Sequence, residues 1–169
     1  MSADEKLDTD ERREVDPIVK RDVFRGLHSE ITQQILGIFF DVYNELGGGF
    51  LESVYQQALR IALVQAGLRV VSEVSVPVYF RGEVVGNFRA DLVVNDVVLL
   101  ELKAVSAFDR EHEGQILHYL RATRLEVGLL LNFGPRPQSK RFILENDKKK
   151  IRVAPRESAV EVLGNQEWV

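Results

Sequence analysis

Beyond Gly67 the apolar residues of this chain stop recurring at every third or fourth position and begin to alternate, and that switch of period constrains the fold more than any other feature. Ahead of the switch, Ile31, Ile35, Phe39, Val42, Tyr43 and Leu46 form one helical stripe that ends at Gly47-Gly48-Gly49. A second helix is predicted from about Leu51 to Ala66, with Leu51, Val54, Tyr55, Ala58, Leu59 and Ala62 turned inward. After the switch, β-branched residues crowd Val70 to Phe80, Glu83 to Val94 and Val97 to Lys103, which predicts three antiparallel strands. Arg81-Gly82 and Asn95-Asp96 supply the turns, and Pro77 marks the first strand as an edge or a bulged one. A third helix should open on Asp109 as N-cap and run to about Thr123. The apolar run Val127 to Asn132 reads as a fully buried strand, Gly134-Pro135-Arg136-Pro137 breaks the chain, and Arg141 to Leu144 offers one further edge strand. The order ααβββαβ describes an α/β or α+β sandwich whose sheet is covered by helices.

A length of 169 residues suits one domain with appended tails. Up to Asp22 there is no apolar period, and residues 1–30 carry a net charge of −3, so residues 1–25 are expected to form a flexible acidic arm. The folded domain is expected over 26–145 and a basic extension over 146–169. Net charge over the whole chain is −4, which argues against a nucleic-acid partner until its distribution is considered. Residues 136–156 reach +6, and Lys148, Lys149 and Lys150 within them could meet phosphates or simply form a solvated turn. The absence of cysteine excludes disulfides, thiolate metal sites and a cysteine nucleophile. With no signal-like start and no membrane-length apolar run, a cytoplasmic protein is expected.

Chemistry concentrates where charge interrupts apolar strands. Glu101 and Lys103 lie two apart and share one strand face, with Leu102 turned into the core. If the preceding strand adds Asp91 to that face, two carboxylates converge as oxygen ligands for Mg²⁺ beside a lysine that can hold a water or a phosphate. The bland alternative is a Glu-Lys pair on a solvated face. Register decides between them: a two-residue hairpin at Asn95-Asp96 would oppose Asp91 to Leu100, so a shared site needs a loop of about three residues or a bulge. On the third helix, His112, Gln115 and Tyr119 occupy one polar stripe that could donate to a nucleic-acid backbone or merely face water. His112-Glu113 does not open a two-histidine zinc motif, because position 116 is Ile. Glu52, in the first turn of the second helix, is either an additional carboxylate near the metal or a residue favoured there by the helix dipole.

Gly49, Glu52 and Tyr55 reproduce the GxxExxY signature of a family of small bacterial proteins, and the chain resembles that family from roughly His28 to Phe133. Asp91, Glu101-Leu102-Lys103, Gln115 and Tyr119 are similar to the D, ExK and QxxxY elements of the PD-(D/E)XK nuclease superfamily, with the RecB-type and phage exonuclease branches nearest. Ala90 stands where the superfamily pattern has Pro. The resemblance implies a restriction-endonuclease-like core, a mixed sheet flanked by helices, and Mg²⁺- or Mn²⁺-dependent phosphodiester hydrolysis. It assigns Asp91 and Glu101 as ligands, Lys103 as the catalytic cation, Glu52 as a further acidic group of the metal site, and Gln115 and Tyr119 as backbone-contacting or site-organising residues. The expected partner is nucleic acid, DNA first, and a homodimer or protein partner stays open. The competing reading is a catalytically silent module that keeps the fold and binds nucleic acid or protein.

Overall fold

A computed structural model describes residues 26–149; the acidic arm and Lys150 onward lie outside the described residues. Two helices, α1 (Ser29–Leu46) and α2 (Glu52–Gln65), precede three strands, β1 (Val70–Phe80), β2 (Glu83–Val94) and β3 (Val98–Lys103). Helix α3 (Arg110–Ala122), β4 (Val127–Asn132) and β5 (Gln138–Ile143) follow, and a 3₁₀ turn spans Asn146–Lys148. The strands form one sheet in the order β1-β2-β3-β4-β5. The first three strands pair antiparallel as expected, and β3 and β4 are parallel because α3 carries the chain back across one face. β5 returns antiparallel to β4 and begins at Gln138, closer to the proline break than the apolar pattern alone indicates. Its side chains are mostly exposed, so no apolar alternation marks its start.

Helices cover both faces, and strand parity assigns each side chain to one of two cores. Leu92, Val94, Val98, Leu100, Leu102, Val127, Leu129 and Leu131 pack with α1 and α2. Val93, Leu99 and Leu130 pack with Ile116, Tyr119 and Leu120 of α3. All six residues of β4 are buried, as expected of a parallel strand between two helical layers. Pro77 lies on edge strand β1, where its missing N–H costs no ladder bond to a second neighbour, and the register shifts just beyond it, between Val78 and Tyr79.

Two irregularities shape the sheet along β2. Asn95 and Asp96 both adopt left-handed backbone, with φ of 49° and 59°, and the amide of Val97 donates to the carbonyl of Val94 at 3.1 Å. That two-residue turn is followed by Val97 as an extra residue, because the ladder resumes at Val94 opposite Val98. The connection is therefore three residues long, and odd-numbered residues of β2 oppose odd-numbered residues of β3, the register a shared site requires. Farther along β2 the alternation slips: Val93 and Ala90 both belong to the α3 core, as do Val71 and Val74 on the paired strand. Glu73 lies between the latter two at φ 53°, opposite Asp91 in register, so the facing of both strands inverts at that point.

The other side of β3 is fastened by the end of β4. Asn132 is fully buried, and its side chain accepts from the Val105 amide at 3.0 Å and donates to the Val105 carbonyl at 2.8 Å. A side-chain amide thereby continues the β3–β4 pairing past Lys103. Gly134 follows because a Cβ there would lie 1.8 Å from the Val105 oxygen. Gly134→Ala is expected to destabilise the protein by about 2–4 kcal/mol, since backbone must move to admit the methyl group. Urea unfolding of the variant beside wild type checks this; an unchanged midpoint would show that the loop yields freely.

Candidate active site

β2 and β3 pair only from Val94/Val98 to Leu92/Leu100 and then part. Into the gap the Asp91 side chain reaches across, its Oδ2 accepting the Leu102 amide at 2.7 Å in place of a backbone carbonyl. The Asp91 carbonyl is in turn met at 3.2 Å by the side-chain amide of Gln56 from α2. Asp91 is therefore held by the strand it parts from and by the helix above it.

Glu101 occupies the facing position on β3 and is 2% exposed. Its Oε1 accepts from Lys103 Nζ at 3.0 Å, while its Oε2 is buried without a hydrogen-bond partner. Glu101 and Lys103 do share a face, and the solvated-pair alternative fails because the lysine side chain is only 14% exposed and the glutamate 3%. Lys103 Nζ also donates to Gln115 Oε1 at 3.0 Å. Gln115 Nε2 donates to the Tyr119 hydroxyl at 2.8 Å, and that hydroxyl donates to the Arg89 carbonyl on β2 at 2.8 Å. A single hydrogen-bonded chain thus runs from Glu101 on β3 through α3 to the far side of the gap.

Burial of two facing carboxylates disfavours their charged forms. Desolvation raises Asp91 from its ordinary 3.8 to about 6, opposed by the Leu102 hydrogen bond and reinforced by the charge of Glu52. Desolvation raises Glu101 from 4.5 to about 8, with Asp91 adding to the effect and Lys103 opposing it. One lysine does not balance this density of oxygen. A divalent cation would, and the unpartnered Oε2 of Glu101 is the atom such an ion would satisfy, so the donor set of hard carboxylate oxygens fits Mg²⁺ or Mn²⁺.

Glu52 lies in the first turn of α2, exposed, and Gln56 one turn on touches Asp91, so both project from the helix face turned to the gap. Its charge reaches both carboxylates, yet among the described residues no three Asp, Glu or His side chains converge closely enough to hold one ion. Glu52 therefore stands outside the Asp91–Glu101 pair. The loop that carries it is set by its two flanking motif residues. Gly49 turns the chain at φ 99°, and the Tyr55 hydroxyl donates to the Gly47 carbonyl at 2.7 Å while accepting from the Phe50 amide at 3.2 Å.

The remaining sequence candidates are placed differently. His112 completes a capping box: Asp109 accepts from its amide, and its Nδ1 accepts from the Asp109 amide at 3.2 Å. Tyr119 is buried and works through its hydroxyl inside the protein, not as an exposed donor. Lys148 pairs with Glu145, and Lys149 donates to the carbonyls of Thr123 and Leu125, at the end of β4 opposite Lys103. Lys140 reaches Glu113 on α3 and Arg141 reaches the Leu27 carbonyl beside α1, so neighbours on the basic strip serve opposite faces of the sheet. Lys150 lies outside the described residues. Sequence reasoning missed Gln56, whose signal was its position four residues after Glu52, and Asn132, the polar end of an otherwise apolar run.

No curated protein and no solved structure matches the chain. A family profile described as the PD-(D/E)XK nuclease superfamily does match, over residues 29–142, which runs from the start of α1 into β5 and takes in all the residues of the gap. With the match covering more than half of the sequence, the chain belongs to the PD-(D/E)XK nuclease superfamily.

Proposed function

We propose that this protein is a Mg²⁺- or Mn²⁺-dependent nuclease that hydrolyses phosphodiester bonds of nucleic acid, DNA in the first instance, in the cytoplasm. The observation that carries the reading is a buried Glu101 with one oxygen unpartnered, facing Asp91 and bonded to a lysine that Gln115 also holds. A purely structural ion pair needs neither the second carboxylate nor the empty acceptor. Among the described residues no helix is long and apolar enough to cross a membrane, in keeping with a substrate met in solution.

In this reading Asp91 and Glu101 hold the ion, and Glu52 meets its hydration shell from the first turn of α2. The ion, when bound, would activate a water and offset charge on the phosphoryl group. Lys103 supplies the fixed positive charge beside it, aimed at a nonbridging oxygen whose charge grows in the transition state. Gln115 and Tyr119 are positioning residues: they hold the ammonium group at the edge of the gap by tying it to the Arg89 carbonyl. Attack and proton transfer need no histidine, and His112 is already committed to the cap of α3.

Lys103→Ala, Asp91→Asn and Glu101→Gln are each expected to lower metal-dependent cleavage by at least about 100-fold with the fold retained, the first by removing a fixed positive charge at a developing oxyanion and the other two by removing a ligand charge from the ion. Wild type and variants incubated with single-stranded DNA, duplex DNA and RNA, in Mg²⁺, Mn²⁺ or EDTA, give the measurement. Equal cleavage by wild type and Lys103→Ala would point to a contaminant. Binding of nucleic acid with no cleavage under any condition would establish the silent-module reading instead.

The two raised carboxyls also make a signed forecast for the metal-free protein. Their folded values lie above the ordinary ones, so between about pH 4 and 8 the folded state binds more protons than the unfolded chain. Their contribution to stability is therefore greatest at the acid end and declines as pH rises, Asp91 losing it by about 6 and Glu101 by about 8. Melting temperatures in EDTA, taken as wild type minus Glu101→Gln, should fall steadily from pH 5 to 8, and Mg²⁺ should flatten the fall by replacing the proton. A difference that rises with pH would contradict the assignment.

A further inference from the structure

Beside the gap, on the outer side of Gln115, lies a cleft of about 350 Å³ lined by Phe88, Glu111, Gly114, Gln115 and His118. None of these except Gln115 has a part in the chemistry above. Three features make the cleft a built surface. Phe88, opposite Val76 in the β1–β2 ladder, packs edge-on against Tyr119 of α3, with ring centroids 6.0 Å apart at 68°, yet stays 43% exposed. The ring of His118 stands 6.4 Å from it at 43°. Between them α3 carries Gly114, where a Cβ would meet nothing within 4 Å, so the helix wall is left bare in mid-helix at a cost to helix propensity.

We propose that this cleft receives an unpaired nucleobase of the substrate, stacked on Phe88 beside His118, next to the phosphate held at Lys103. The inference rests on the nuclease reading and names its substrate class: single-stranded nucleic acid, or a strand end with a base free of its partner. Position supports it first. Gln115 is the shared wall, its Oε1 bound to Lys103 Nζ and its other side lining the cleft, so a nucleoside attached to a phosphate at Lys103 has one side chain to cross. Chemistry supports it second. Glu111 at the rim repels a phosphate but accepts hydrogen bonds from base N–H groups, and aromatic faces take any base by stacking. A base inside a duplex is stacked on both faces and cannot enter. The apolar exposure of Phe88, fixed by its contact with Tyr119, is thereby turned from a cost into a platform.

The test uses the full chain carrying Glu101→Gln, in EDTA, and oligonucleotides bearing 2-aminopurine either single-stranded or fully paired. Stacking on Phe88 should alter the fluorescence of the single-stranded probe on binding, and Phe88→Ala should lower the single-strand to duplex affinity ratio about tenfold, the scale of one stacked base. Phe88→Trp should restore the ratio. Because Phe88→Ala also removes the contact with Tyr119, Gly114→Leu serves as the second variant: it fills the cleft from open space, should leave or raise the melting temperature, and should lower the same ratio. A ratio unchanged in both variants, or single-strand and duplex affinity falling together, would overturn the proposal. Since the assay reads binding without metal, absence of cleavage by wild type would sink the nuclease reading and leave this result to stand or fall by itself.

Discussion

A carboxylate buried in the middle strand of a sheet is the constraint on which the rest of this structure turns. Glu101 gives up water on β3, between two helical layers, and recovers one hydrogen bond from Lys103 for two oxygens. Burying charge on those terms is costly, and the sequence around it reduces the cost only in part. Asp91 adds a second carboxyl where a neutral group would be cheaper, and the Leu102 amide it takes offsets only some of its burial. The site is thus left short of positive charge, while the buried side chains beside it, Asn132 and Tyr119, are bonded. That shortfall is what a divalent cation would relieve, and in that respect the electrostatics agree with membership of the superfamily.

The gap between β2 and β3 is held open from both sides. On one side, β2 inverts its facing at Asp91 and is fixed by Gln56 from α2 and Tyr119 from α3. On the other, Asn132 extends the β3–β4 pairing to Val105, and Phe133 places its ring flat against Tyr55 at 4.4 Å. Tyr55 is the same residue that ties the glycine loop to α2 and so sets the start of the helix bearing Glu52. Tyr43 closes the circuit with bonds to the carbonyls of Gly134 and Pro135. The loop before α2 and the loop after β4 are consequently one packed unit, and the spacing of Gly49, Glu52 and Tyr55 is the sequence trace of that packing.

What could be read from sequence were the relations fixed by local geometry. Parity placed Glu101 and Lys103 together, and the demand that Asp91 join them required an odd connection, which the left-handed Asn95-Asp96 turn and the extra Val97 provide. Relations set by partners from distant elements were not legible. Lys149 looks like a surface cation in a basic run, but it is buried enough on the Thr123 and Leu125 carbonyls that its pKa is lowered to about 8. His112 sits on the same helical stripe as Gln115, yet its place at the third position of the helix commits it to the cap. Phe88 has no periodic signature at all, because it becomes meaningful only when α3 crosses β2.

The polar chain through α3 shows why these parts must be read together. Lys103 is on β3 and the Arg89 carbonyl is on β2, strands that no longer pair at this level, and Gln115 with Tyr119 spans the interval in two side chains. Each link uses both a donor and an acceptor, so rotating one residue breaks the bond on either side of it. The span does mechanical and electrical duty at once: it fixes how far β2 stands from β3, and it fixes where the ammonium charge lies within the opening. The same Tyr119 that ends the chain braces the ring of Phe88. The width of the gap, the position of the positive charge and the orientation of the outer cleft are therefore not independent variables but three readings of one helix seated on one sheet.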